Sequence, residues 1–226
     1  MHETARPVAV LFDIDETLVH TGGAGARSWK AAFEKLYGIP ADIGAHSSAG
    51  ETDPQVARAT FAGVMGRAPS DQELDHLYVQ YLLHLADDIP ASEHYRMLPG
   101  AEETLVALGE AGVLLGLVSG AMEGAARTKL IPARLNTFFI FGAYGSDSAD
   151  RTEPTGLAIE KASRLHARLA PSQVFVVGDT PRDLDAANAV GAISVGVASG
   201  NFSVDELAAA GGDHVLGSLT EPFPGL

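Results

Sequence analysis

Three short apolar runs, Val8-Ala9-Val10-Leu11-Phe12, Val113 to Val118 and Val174 to Val177, each end at or next to a polar side chain: Asp13, Ser119 and, after Gly178, Asp179. Runs of this length without polar alternation read as strands buried on both faces, the pattern of a parallel sheet covered by helices. In an open parallel α/β sheet the carboxyl edge of the strands is where ligands bind. All three polar residues therefore fall on one edge. Asp13 and Asp15 stand two apart on an extended exit from a strand, so their side chains point the same way and share one pocket.

The second apolar run follows the first only after about ninety residues, too long for an ordinary crossover. The interval carries helical signals. Trp29, Ala32, Phe33 and Leu36 repeat at helical spacing up to Gly38 and Pro40, Asp53 before Pro54 reads as an N-cap, and Ser70 with Glu73 reads as a capping box ahead of the stripe Leu74, Leu77, Tyr78, Tyr81, Leu82 and Leu85. From Ala101 onward helices and strands alternate, with strands predicted at Phe138 to Phe141 and Ile193 to Val197 and a last helix capped by Ser203 and Glu206. The expected fold is α/β, a doubly wound parallel Rossmann-like sheet. Its core spans residues 1–20 and 93–226, and a small α-helical cap is inserted at 21–92, with hinges near Gly22-Gly23 and Tyr95 to Gly100.

Asp13, Asp15, Asp179 and Asp183 brought to one edge would repel one another, and some would stay protonated at neutral pH unless a cation joined them. Mg²⁺ suits such a site, since it takes oxygen ligands and keeps positions open for water or phosphate. Arg151 can add a planar, fixed positive charge suited to phosphoryl oxygens. The pattern points to phosphoryl transfer. Alone, each aspartate would be an ordinary turn or cap residue; the weight lies in their order and placement.

Asp13-Ile14-Asp15-Glu16-Thr17, Ser119, Arg151, and Gly178-Asp179 with Asp183 together resemble the four motifs of the haloacid dehalogenase-like hydrolase superfamily, specifically its magnesium-dependent phosphatases of the phosphoglycolate phosphatase type. The resemblance covers nearly the whole chain. It implies Asp13 as the nucleophile that forms an aspartyl phosphate and Asp15 as the acid and base. It implies Mg²⁺ held by the Asp13 side chain, the Asp15 backbone carbonyl and Asp179, with Asp183 holding a metal-bound water or orienting Arg151. Thr17, Ser119, Gly120 and Arg151 would surround the transferred group. Enzymes resembling true dehalogenases lack the acid at the Asp15 position, because a halide leaves without a proton.

Three positions depart from the pattern. Arg151 stands where Lys is usual, with no Lys close by in sequence, Glu16 where Gly is common, and Ala121 where Asn is often found. A phosphoglycolate-like substrate would need a further cation for its carboxylate. Arg27, beside the glycine hinge, is the first candidate and Arg58 the second, against the ordinary alternative of a solvated arginine on a helix surface.

A chain of 226 residues, 46% hydrophobic, can bury a large core. Its net charge of -14 argues against nucleic acid and anionic membrane as partners. Without cysteine there is no thiol catalysis or Cys-type zinc site. No run is long enough to span a bilayer, the N-terminus has no secretory pattern, and a cytoplasmic location is expected. The expected activity is hydrolysis of a small phosphorylated metabolite, with the oligomeric state left open. A phosphomutase of the same superfamily and a non-catalytic binding module retaining the fold are the alternatives.

Overall fold

The computed structural model describes residues 6–48, 50–148, 150, 152–166 and 169–226. In chain order the regular elements are β1 (Ala9–Phe12), β2 (Val19–His20), α1 (Ala24–Tyr37), α2 (Asp53–Met65), α3 (Asp71–Ala91), β3 (Arg96–Met97), α4 (Ala101–Glu110), β4 (Leu114–Ser119), α5 (Glu123–Leu130), β5 (Phe141–Tyr144), α6 (Thr152–Leu165), β6 (Val174–Gly178), α7 (Pro181–Ala189), β7 (Ile193–Val197), α8 (Val204–Ala209) and β8 (His214–Leu216).

Six strands form one sheet in the order β5-β4-β1-β6-β7-β8, and every neighbouring pair is parallel. The apolar runs have the two-sided burial that such a sheet demands. Val10, Phe12, Leu115, Leu117, Phe175 and Val177 enter one hydrophobic cluster, while Ala9, Leu11, Val118, Val174 and Val176 enter the other on the opposite face. After β1 the chain builds the sheet outward through β4 and β5, then crosses back to build β6, β7 and β8 on the other side. The strand order thus reverses at β1, and the crevice at such a switch point is where open α/β sheets bind ligands.

Helices α1, α2 and α3 occupy the long interval between β1 and β4. Trp29 stacks on Tyr81 with ring centroids 4.1 Å apart and planes 9° apart, and Phe33, Phe61, Leu77 and Leu85 are fully buried around them. The two chain segments that connect this helical layer to the sheet pair as antiparallel β2 and β3. Gly22 lies against the returning segment with φ 63°, and a Cβ there would stand 2.6 Å from the Ser92 hydroxyl and 2.9 Å from the His94 carbonyl carbon. The crossing is therefore a stapled pair of strands.

Two local expectations shift. The N-cap of α2 is Thr52, whose hydroxyl accepts from the Gln55 amide while Gln55 returns a bond to the Thr52 amide; Asp53 is the first helical residue, and its carboxylate is free to act elsewhere. The strand expected at Phe138 to Phe141 begins only at Phe141, opposite Gly116. Leu135–Phe138 instead form a 3-10 turn, pinned by the Asn136 side-chain amide donating to the Arg127 carbonyl at 2.9 Å. β8, a short parallel edge strand, was not expected. It bears only three residues, one of them His214, too short for an apolar run to announce it.

Candidate active site

At the carboxyl edge of β1, β4 and β6 lies a cavity of about 210 Å³ lined by Asp13, Asp15, Glu16, Asp53, Ser119, Gly120, Lys129, Asp179 and Thr180, with Gly50, Glu51, Ala121 and Asn201 completing the wall. Asp13 follows β1, Ser119 ends β4 and Asp179 follows β6, so adjacent parallel strands set their separation. Asp183, one turn into α7, is brought beside them because Gly178 has no side chain. A Cβ at Gly178 would lie 2.3 Å from the Asp183 carboxyl carbon.

Asp13, Asp179 and Asp183 are buried, and one carboxylate oxygen from each lies within 4.8 Å of the others. Asp183 also accepts from the Thr180 amide at 3.1 Å and the Thr180 hydroxyl at 2.7 Å. Burial first, then the charges of Asp13, Asp183, Glu16 and Asp15, push the Asp179 carboxyl up to about 9. Three crowded acids, one of them unable to ionise at neutral pH on its own, are a donor set that a hard divalent cation fits, since every donor is oxygen.

The opposite wall has a different character. Asp15 shares the cavity with Asp13 but is not one of this trio; it pairs with Lys129, whose ammonium donates to Asp15 Oδ2 at 2.5 Å. Lys129 is 6% exposed and is the sole cation lining the cavity among the described residues. Burial works to lower the pKa of its ammonium, but the electrostatic pull of Asp15 first, with Asp53 beside it, outweighs burial and holds the group above its ordinary value. Asp53 reaches from α2 to the loop after β4, where its amide donates to the Gly120 carbonyl at 2.8 Å and its carboxylate accepts from the Met122 amide at 2.8 Å. Its carboxyl is pushed up to about 6 by burial, against the lowering effect of Lys129 and the Met122 hydrogen bond.

Of the residues singled out in the sequence, Asp13, Asp15, Ser119, Gly120 and Asp179 line the cavity, and Asp183 stands behind it with the acid trio. Ser119 is buried, and its hydroxyl accepts from the Ala121 amide at 3.3 Å. Arg151 lies outside the described residues. Thr17 is not in the cavity wall; it is fully buried, and its hydroxyl has no hydrogen-bond partner among the described residues. Glu16 adopts φ 56°, the left-handed conformation for which glycine is best suited. Its carboxylate meets His20 Nδ1 at 2.5 Å, and Glu16 itself lines the cavity.

Arg27 is placed elsewhere. Its guanidinium donates to Asp88 at 2.7 and 3.1 Å, to the Gly22 carbonyl at 2.5 Å and to the Ser92 hydroxyl at 3.1 Å, tying α1 to the end of α3. Sequence proximity to the glycine pair does not bring it to the cavity, because α1 leads its first turn away from the sheet edge. Arg58 faces Asp71 at 3.9 Å on the surface. Lys129 and Asp53 are the residues that the sequence reading missed. One signal for Lys129 was available: it shares a face of α5 with Ala125 and Ala126, a charge at an apolar helical position.

The sequence matches the family of haloacid dehalogenase-like hydrolases over residues 8–191. The chain belongs to that family. It is 32% identical over 211 residues to a phosphoglycolate phosphatase of Rhodospirillum rubrum, covering 91% of this chain and 85% of the relative. To the phosphoglycolate phosphatase of Neisseria meningitidis it is 26% identical over 223 residues, covering 96% and 93%. Within the family it is a phosphatase, a phosphoric monoester hydrolase. Among solved structures, its fold is similar to a β-phosphoglucomutase from Clostridium difficile, with a TM-score of 0.73 at 18% identity over 94% of this chain and 92% of that one. It is also similar to a predicted phosphoglycolate phosphatase from Haemophilus somnus, with a TM-score of 0.71 at 19% identity over 94% and 95%. No helix among the described residues is long and apolar enough to cross a membrane.

Proposed function

We propose that the chain is a Mg²⁺-dependent phosphatase of a small, phosphoglycolate-like phosphate monoester, acting through an aspartyl phosphate on Asp13. The observation that carries this reading is the pairing, in one cavity of about 210 Å³, of the Asp13, Asp179 and Asp183 oxygens within 4.8 Å with an Asp15 that stands outside the trio on Lys129. Asp13, Asp179 and Asp183 would hold the cation, which when bound supplies charge neutralisation for the phosphoryl oxygens. Asp13 attacks phosphorus while the ester bond breaks. Asp15 delivers a proton to the departing oxygen, then takes one from the water that hydrolyses the acyl phosphate. Ser119 and the backbone around Gly120 position the phosphoryl group.

Residues 21–92 act in this reading as a cap, latched to the loop after β4 through Asp53 and excluding water from the transfer. The cavity is smaller than the ~300–1,000 Å³ typical of drug-sized ligands. This favours a short ester over the hexose bisphosphate that a mutase must turn around. Hydrolysis of a panel of phosphorylated metabolites, read as phosphate release with and without EDTA, tests the proposal. Chelation should abolish turnover and excess Mg²⁺ restore it. Turnover that survives chelation removes the metal assignment, and an isomeric product in place of free phosphate removes the phosphatase one.

A further inference from the structure

We infer that Lys129 is the specificity residue of this cavity, binding an anionic group, a carboxylate, attached about one methylene from the ester oxygen of the substrate. The inference rests on the proposed phosphatase reading and assigns its leaving-group pocket. It follows from where Asp15 stands. If Asp15 protonates the departing oxygen, the carbon chain on that oxygen emerges beside the Asp15 carboxylate. Lys129 Nζ lies 2.5 Å from that carboxylate, so the first charged substituent on a short leaving group meets the ammonium.

The ammonium is held ready for such a ligand. Its backbone is fixed in α5, where the Lys129 carbonyl accepts from the Tyr95 hydroxyl at 2.7 Å. Its stem is enclosed against the helical layer, and the residue is 6% exposed. Only one of its three N–H donors has a hydrogen-bond acceptor among the described residues, the Asp15 carboxylate. The others are left for a ligand. A buried ammonium costs several kcal/mol unless its partners make up the difference, and a charge kept at a position flanked by Ala125 and Ala126 needs a reason that packing does not supply.

Neither of its other neighbours accepts a hydrogen bond from it among the described residues, although the Asp53 carboxylate stands near enough to act on its charge. Asp53 has one carboxylate oxygen on the Met122 amide, and Tyr81 is enclosed with its hydroxyl held well above its ordinary pKa by burial, hence neutral. The remaining wall is acidic, with Glu16, Glu51 and Asp179, so among the described residues lining the cavity no other side chain offers a carboxylate a positive charge.

The test compares 2-phosphoglycolate with its neutral counterpart, 2-hydroxyethyl phosphate, in wild type, Lys129→Met and Lys129→Arg. Because Lys129 touches Asp15, Lys129→Met should slow both esters; the readout is the ratio of their kcat/KM values. Wild type should prefer the carboxylated ester, and Lys129→Met should erase roughly 10- to 150-fold of that preference, largely through KM. Lys129→Arg should retain most of it. A binding arm avoids proton transfer altogether. Calorimetric titration with 3-phosphonopropionate should show tighter binding than 3-hydroxypropylphosphonate to wild type, and no such difference in Lys129→Met.

If Lys129→Met does not fold, Lys129→Gln carries the same comparison. An unchanged ratio, with both esters slowed alike, would overturn the inference and leave Lys129 as a residue that only positions Asp15. A wild type with no preference for the carboxylated probes overturns it as well. If wild type hydrolyses neither ester nor any other in the metabolite panel, the phosphatase reading itself fails and takes this inference with it.

Discussion

The two walls of the cavity are assembled by different means. The acid trio comes from residues at or just beyond the carboxyl ends of neighbouring strands, where β1 and β6 are hydrogen-bonded in register from Ala9 with Val174 to Phe12 with Val177. The facing wall joins Lys129 of α5 to Asp53 of α2, elements far apart in sequence that meet only because α2 and α3 pack back onto the sheet edge. The first wall is set by a local rule, strand then loop. The second depends on how a whole helical layer is seated. Reaction chemistry placed on the strand-end wall and leaving-group recognition on the helical one would let substrate choice vary without disturbing phosphoryl transfer.

If that division holds, the largest effect belongs to the strand-end wall. Asp13→Asn should lower turnover of p-nitrophenyl phosphate by roughly 10⁴- to 10⁶-fold, the loss typical of a missing nucleophile. A mutant that keeps most of its rate would mean another group attacks phosphorus. Asp15→Asn should cost ~10²–10⁴-fold with a sugar phosphate, whose alkoxide needs a proton, and distinctly less in phosphoenzyme formation from p-nitrophenyl phosphate. Equal losses on the two substrates would remove Asp15 from the acid role.

The acid trio also makes a pH prediction. Asp179 titrates near 9 in the folded chain and near 3.9 when unfolded. The folded state therefore holds a proton that the unfolded state has lost, and without metal this contribution to stability is present below about 4 and lost as pH rises to about 9. A divalent cation must displace that proton. Mg²⁺ affinity followed by calorimetry should rise by up to about tenfold per pH unit between 6 and 8, with proton release. Affinity independent of pH would show that the trio is already ionised.

On the other wall the effects are smaller and concern stability. Asp53→Ala leaves the buried Met122 amide without its acceptor and should cost about 1–3 kcal/mol, or roughly 2–10 °C in thermal midpoint. Asp53→Asn can keep the acceptor and should lose only the pH dependence of an acid that titrates near 6, a dependence in which wild type loses stability as pH rises from about 4 to 6. A midpoint unchanged in Asp53→Ala would mean that the latch contributes nothing. The smallest effect is expected at Arg27, where Ala should cost no more than ~1 kcal/mol, as exposed ion pairs do. A raised KM for 2-phosphoglycolate in Arg27→Ala would put the carboxylate site back in the helical layer and break the comparison.

By itself the sequence determined the central strands β1, β4 and β6 and the acid wall at their ends. Val10 and Phe12 alternate with Ala9 and Leu11 between two cores because a strand's side chains alternate, so an apolar run followed by aspartate can be read with no knowledge of what lies next to it. The capping boxes at Ser70 and Ser203 were legible for the same reason, since three residues separate the partners. Tertiary structure alone decided what distant elements do to one another. Thr52 took the cap, which left the Asp53 carboxylate to cross to Met122; α1 carried Arg27 to Asp88; and α5 turned Lys129 inward to Asp15 across a separation of 114 residues. A charged side chain shows its residue type in sequence but not its partner, because the partner is chosen by packing that no local spacing encodes.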